Sequence, residues 1–559
     1  MLAAVLTLFA LPGSPDAVHL LHQVTVTFEE DGTITEQTKA VIIPLTGRGV
    51  QRFSTMNVAF REGMEEVEII QADVGHWRGG RGSSTASISI APHRILSGSN
   101  RLESSLQETI MLMPGLEVGD TVKVDIVRTI HSLPLSDVYS FSFSPVLRDS
   151  VVRSVFQLRN DSGIQLLTSN SGTNWEFLNL SPLPSHPLAA FDLPVISIAT
   201  GSPVQLSAEA SQALDIPQHS ECSRLDEIVI QNRSDPAALR VWVTENINYI
   251  GADTGVWPGW SPRSPEETLQ DGSGVCRDRA VLLTWLLRKA GYDAYPALAS
   301  TAGKTALVVD ARSFDHMITV YRSPEDGSWV VLDPTPKGIP LSAGASFGLR
   351  GASFLPMVPG GTGLQTIPLN GWNDTLRISV YGELDLNENI ITGRLRAISY
   401  GAPLELITTL YTQSGPSVNE MFRRFFGALR CDSVSFDGKE VIIDGQWKVS
   451  RNGGFLLLPG LREISLHGSR TASMLLPCPP DSFIIDAPAT EILNVSLSIR
   501  NTEAFLPETV SAPGYTCEMN YEYGRLVYTE TADIVNANPD ILESLLLRSG
   551  TSARTLRLQ

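Results

Sequence analysis

The chain has 559 residues, 42% of them hydrophobic and 18% charged, and a formal charge of −18. That length accommodates about three or four domains of roughly 150 residues, with the composition of ordinary globular cores. The acidic balance argues against nucleic acid and anionic membrane surfaces as partners, because both repel it.

Leu2 to Leu11 form an apolar run, followed by Pro12, Gly13, Ser14 and Ala17. The run matches the hydrophobic region of a secretory signal and is too short to span a bilayer. A signal peptide is therefore expected over 1–17, atypical because no Lys or Arg precedes the run. The alternatives are a first buried strand or a start codon assigned too late. The first reading predicts an exported protein, periplasmic or extracellular, with no transmembrane anchor after signal removal.

From 18 to about 203 the pattern is β-rich. HQVTVTFEEDGTITEQ alternates apolar and polar residues around Asp31-Gly32, a hairpin dipeptide. DTVKVDIVRTI and VYSFSFSPV keep the same period of two, and a sandwich-like antiparallel domain is expected. His19 and His22 in HLLH sit on such a strand and lack the context a metal site needs.

The pattern changes over 204–345. Asp235-Pro236 is a helix start, with Leu239, Trp242, Val243, Asn246 and Ile250 near one face. GSGVCRDRAVLLTWLLRKAGYDAYPAL then opens a second helix at Cys276, with Ala280, Leu283, Leu287 and Ala290 recurring at helical spacing and Gly291 at its end. Three β-like runs follow, AYPALAS, HMITVYR and WVVLDPT, the last two joined through Pro324, Asp326 and Gly327. Such an order reads as an α+β core. Residues 346–371, rich in Gly, Pro and Ser, are expected to be a linker. Residues 372–559 form a C-terminal β-rich domain, with a turn at Asp437-Gly438 and a last helical stretch near Asp540–Leu547.

Five cysteines (Cys222, Cys276, Cys431, Cys478, Cys517) are too few for a disulfide scaffold, and none is spaced as CxxC. After export, two of Cys431, Cys478 and Cys517 have the option of pairing, and the odd total leaves at least one free thiol. No metal or other cofactor is expected, since no ligand set stands out. Cys276 is placed in the first turn of its helix, where unpaired backbone N–H groups and the dipole favour thiolate. Arg277 and Arg279 add positive charge beside it. Capping positions also hold inert cysteines, so position alone leaves both readings open.

A thiolate enzyme needs a base and an orienter for that base. His316 opens a strand 40 residues downstream, and Asp333 ends the next strand. Antiparallel pairing about Asp326-Gly327 would bring the two together. The order of a helix-starting Cys, a DH-containing strand and LDPT resembles the transglutaminase-like superfamily, related in core fold to papain-type cysteine proteases. The likeness is nearest to bacterial members with a β-rich domain of unknown function ahead of the core. Their cysteine motif commonly reads GDCKD; here Val275 replaces the acidic residue and Arg277 the lysine. QADV at Gln71–Val74 and PGLEVGD at Pro114–Asp120 resemble the leading domain, and LPETVSAPG and YGRLVYTET the trailing one.

The resemblance implies a multidomain chain, with an α+β transglutaminase-like (papain-like) core flanked by N-terminal and C-terminal β-sandwich-like domains. It implies a Cys276–His316–Asp333 triad and thiol acyl transfer, hydrolysis or transamidation, on protein or peptide amides. Trp257 and Trp260 are oxyanion-donor candidates by location, each equally readable as packing beside the site. The competing function is a non-catalytic envelope binding or assembly protein that uses its β domains, with the core as scaffold.

Overall fold

The computed structural model describes residues 15–76, 83–97, 100–182, 195–214, 222–250, 260–301, 308–336, 344–345, 349, 351–367, 374–401, 404, 407–408, 411, 415–452, 455–458, 489–498, 504–505, 510–512, 515–522, 525–534 and 555–558. The run Leu2–Leu11, Trp257, Cys478 and the stretch Asp540–Leu547 lie outside them. The chain is multidomain and strand-rich. It divides into two compact units, one within Met1–Leu183, Asp192–Thr335 and Ala352–Ile367, the other within Pro184–Phe191, Pro336–Gly351 and Pro368–Gln559.

The first unit begins with a seven-stranded sheet. Strands Ala17–Phe28 and Ile34–Pro44 form the expected hairpin around Asp31-Gly32. Gly32 takes φ +88° there, while the Asp31 carboxylate accepts from the Thr33 N–H at 2.9 Å and hydroxyl at 2.7 Å. Alternation buries Val24, Val26 and Phe28 against Tyr139, Phe143 and Phe156. The sheet is not purely antiparallel, because Ala17–Phe28 pairs in parallel with Ser150–Asn160. A period of two specifies a strand and its buried face but not the direction of its partner. His19 and His22 lie on this first strand, the latter stacked on Phe143.

The core of the same unit carries a five-stranded antiparallel sheet. In order its strands are Trp329–Leu332, His316–Arg322, Ala294–Ala299, Ser353–Pro356 and Gln365–Thr366. The last two replace the expected linker: Leu355 pairs with Leu298 and Phe354 with Ala299, and both apolar side chains are buried. The glycines of this segment mark turns beside short strands, with positive φ at Gly351, Gly360 and Gly361. Helix Pro203–Leu214 is tied to the same edge by the buried Ser207 hydroxyl, which donates to the Pro356 carbonyl at 2.6 Å.

Helix Cys276–Lys289 packs against this sheet. Its Leu282, Leu283, Leu286 and Leu287 are fully buried with Leu239, Val243, Leu298, Met317 and Leu355, each such leucine contributing about 1.5–3 kcal/mol of burial. The helix is more than amphipathic, since every residue from Arg277 to Leu287 is buried. It ends as the sequence predicts: Gly291 at φ +90° donates to Arg288, and the Tyr292 N–H returns to Leu287, closing a Schellman motif.

The second unit is built on an eight-stranded sheet and a four-stranded sheet. Its core gathers Trp447, Phe422, Phe426, Leu395 and Tyr528. Among its described cysteines, Cys431 is a free thiol, which burial, followed by the charges of Asp432 and Asp444, pushes up to about 11.

Candidate active site

The loop Ser273-Gly274-Val275 delivers Cys276 to the first helical position. Helix Pro265–Asp271, capped by Ser264 and Glu267, stops at Gly272 in the left-handed conformation. Ser273 and Gly274 then pair in parallel with Asn248 and Tyr249. Asp278, at the third helical position and 3% exposed, reaches back to the Val275 N–H at 3.0 Å. The same carboxylate accepts from the Arg263 backbone N–H at 2.9 Å and pairs with its guanidinium at 3.2 Å. Gly274 is required beside it, because an added Cβ would meet the Asp278 Cβ at 2.9 Å. The turn before the thiol is thus fixed by one buried carboxylate.

His316 opens one strand and Asp333 directly follows the neighbouring one. The pairing Thr319↔Leu332 puts Asp333, one residue on, diagonal to His316 on the same face. The hairpin closes at Asp326-Gly327 as expected, with Gly327 at φ +69° and Asp326 accepting from the Ser328 N–H and hydroxyl. The imidazole Nε2 lies 3.1 Å from Asp333 Oδ2. Asp333 Oδ1 accepts from the Thr335 N–H at 2.9 Å, so both carboxylate oxygens are engaged.

Both groups are buried, at 9% and 2% exposure, and Cys276 lies near enough to the same imidazole to favour its charged form. With Nε2 committed to Asp333, Nδ1 is the atom left for sulfur. Burial pulls the His316 imidazolium down, but the Asp333 charge and hydrogen bond, then Cys276, outweigh it and hold the ring well above its ordinary value.

Two arginines support the aspartate. Arg279, whose direction the sequence left open, reaches the segment that follows the aspartate. Its Nη1 donates to the carbonyls of Pro334 and Thr335 at 3.0 and 2.9 Å, and Nη2 to that of Ile247. Arg240, 1% exposed, is pulled down by burial while the charge of Asp333 opposes that pull. Spacing alone carried no sign of either role, since a helical arginine is ordinarily solvated. Tyr249 flanks the thiol: its ring is half exposed, yet desolvation, then the Cys276 charge, push its phenol up to about 12.

Of the two tryptophans, Trp257 lies outside the described residues. Trp260 is buried in the core's apolar cluster, and its indole N–H has no hydrogen-bond partner among the described residues. Among the described residues no group of three or more His, Cys, Asp or Glu is arranged to hold a metal.

Residues 229–334 match the model of the transglutaminase-like superfamily, and residues 30–174 match that of DUF3857, a domain of unknown function. No curated protein sequence matches the chain. A solved structure from Parabacteroides distasonis, provisionally described as a protease, is 11% identical, with 97% of this chain and 99% of that one aligned at a TM-score of 0.59. A second, from Cytophaga hutchinsonii and provisionally described as a cysteine protease, is 13% identical over 54% of this chain and 76% of its own, at a TM-score of 0.17. The first argues for a shared fold along nearly the whole chain; the second carries no such argument. The chain therefore combines a transglutaminase-like core with a DUF3857 domain ahead of it.

Proposed function

We propose that the core is a cysteine-dependent acyl-transfer enzyme acting on protein or peptide amides, with Cys276 as nucleophile, His316 as its acid–base partner and Asp333 as orienter. The observation that carries this reading is one buried imidazole held by Asp333 at 3.1 Å with the Cys276 thiol beside it. The proton of Cys276 passes to Nδ1 of His316, and the thiolate adds to the amide carbonyl. The C–N bond breaks as the imidazolium protonates the leaving amine, giving a thioester. Water or a second amine then attacks the thioester and releases Cys276, giving hydrolysis or transamidation. The helix N-terminus presents the Cys276 N–H to the oxyanion, and the unpartnered Trp260 indole N–H is the proposed second donor.

The proposed domain limits are 18–203 for the N-terminal β-rich domain, 204–345 extended by the strands at 353–356 and 365–366 for the core, and 372–559 for the C-terminal domain. Export remains a proposal from the leading apolar run. No helix among the described residues is long and apolar enough to cross a membrane.

The test is the pH dependence of Cys276 alkylation, resolved by peptide mass spectrometry, in wild type and His316→Ala. The expected result is reaction well below pH 8, where a thiol of pKa about 8.5 is mostly protonated, lost without His316. An ordinary thiol profile in both proteins would overturn the assignment and return attention to the β domains as binding modules.

A further inference from the structure

The strand that carries His316 is preceded by a short turn, Ala311–Ser313, capped by the Asp310 carboxylate. That turn is held by residues of the N-terminal β domain. Asp310 is 1% exposed and accepts from the Ser140 N–H at 2.8 Å. Arg312 pairs with the same carboxylate at 2.9 Å, with Glu36 at 3.1 Å, and donates to the Ser140 carbonyl at 3.0 Å. Its guanidinium lies over the Tyr139 ring at 4.8 Å, and the Tyr139 hydroxyl donates to Glu36 at 3.0 Å. Glu36, Tyr139 and Ser140 fall in the segment matching the domain of unknown function, and Asp310, Arg312 and His316 in that matching the core.

The contact is specific in ways a chance interface is not. Arg312 satisfies two carboxylates and a carbonyl at once, which only the guanidinium fork allows. A buried network of this kind is costly to break by removing one partner and gives little net stability over an apolar filling, so its value lies in fixing a geometry. The geometry it fixes is close to the thiol's partner. Beyond the turn, Phe314 is buried in the core, the Asp315 N–H donates to the Ala299 carbonyl, and His316 pairs with Ala299.

We infer that the N-terminal β domain is part of the catalytic apparatus, with Glu36 and Arg312 acting as positioning residues that lock the turn before His316 and so set the imidazole on Cys276. The inference rests on the triad proposed above. It assigns the domain of unknown function a role within its own chain: it completes the base.

A cavity of about 360 Å³ adjoins this network, lined by Glu36, Asp310, Arg312 and also by Arg61 and Arg128. It offers a route by which free guanidinium ion can reach the place of a truncated Arg312 side chain.

The experiment compares wild type, His316→Ala, Glu36→Gln and Arg312→Ala by the pH profile of Cys276 alkylation, with unfolding curves confirming that each is folded. Glu36→Gln keeps the size of the side chain and an acceptor oxygen, so it carries the test if Arg312→Ala does not fold. Both variants are expected to lose roughly tenfold to a hundredfold of the low-pH reactivity, as small misplacements of reacting groups do, and to approach the His316→Ala profile. Millimolar guanidinium, far below denaturing levels, should restore Arg312→Ala and leave His316→Ala unchanged. Wild-type profiles in folded Glu36→Gln and Arg312→Ala would overturn the inference while leaving the triad intact. A wild type indifferent to His316→Ala would overturn the triad itself, and the positioning role with it.

Discussion

His316 Nε2 and Asp333 Oδ2 stand 3.1 Å apart and buried in the core, His316 opening one strand and Asp333 directly following the antiparallel strand beside it. The pair raises the imidazolium well above its ordinary value despite burial, which acts the other way. A group whose folded pKa is raised stabilises the fold fully below its unfolded value, about 6.5, and that stability is lost as pH climbs through the folded value. The protein should therefore weaken on the alkaline side of neutrality. Urea midpoints across that range should slope less steeply in His316→Gln; an unchanged slope would mean that the pair is not ionised as described.

Asp333→Asn separates charge from shape. The amide oxygen can keep the Thr335 N–H now held by Oδ1, which turns the amide N–H₂ toward His316 Nε2. That nitrogen must then accept, so the ring proton moves to Nδ1 and the thiol proton has no acceptor. Low-pH alkylation of Cys276 and any amidase activity are expected to fall by roughly a hundredfold to ten-thousandfold. A loss of only a few-fold would remove Asp333 from the proposed mechanism.

The places of Cys276, His316 and Asp333, the residues of the proposed triad, were legible in the sequence because each has its own local signal. The leucine period starts the helix at Cys276, and Asp326-Gly327 sets the hairpin that aligns the other two. What could not be read was anything carried by long-range burial. Arg279 looks like a charge beside the thiol until the fold brings the Pro334 and Thr335 carbonyls to it. Arg312 meets Glu36 across 276 residues, a separation no periodicity reports. The Gly- and Pro-rich composition of 346–371 predicted a linker because turn residues break up its apolar ones, although Phe354 and Leu355 suffice to build a strand of the sheet.

His22 predicts an acid limb. Burial, then the charge of His19, lowers its pKa to about 4, and the ring stacks on Phe143 at 5.3 Å. A depressed pKa means stability that is present above the unfolded value and lost as pH falls through the folded one. The window runs from about 6.5 down to about 4, and a shift of that size corresponds to on the order of 3 kcal/mol. His22→Phe, which keeps a stacking ring, should flatten that part of the stability–pH curve. An equally steep loss in the variant would place the acid sensitivity elsewhere.

Asp278 predicts a coupling between folding and thiol reactivity. Asp278→Ala removes the acceptor for the Val275 and Arg263 N–H groups and leaves the Arg263 guanidinium without this buried partner. Breaking such a pair costs about 3–5 kcal/mol. Gly274→Ala should damage the same turn by pressing a methyl against the Asp278 side chain. Because both act on one loop, their unfolding free energies should combine non-additively in the double variant. Additive losses would mean that the two residues do not share a single arrangement before Cys276.

Arg279 offers the sharpest distinction between charge and geometry. Its guanidinium serves the carbonyls of Pro334, Thr335 and Ile247 together and lies 5.4 Å from the centre of the Tyr249 ring. A lysine retains the charge but places its three donors around one nitrogen, and it cannot span carbonyls from two separate segments. Arg279→Met should lose about 1–3 kcal/mol for each buried acceptor left unmatched. Arg279→Lys should recover only a minor part of that loss. In both variants the segment after Asp333 loosens, so the His316-dependent alkylation of Cys276 should decline along with stability. If the lysine variant restored both properties, positive charge alone would account for Arg279, and its hold on the aspartate loop would be incidental.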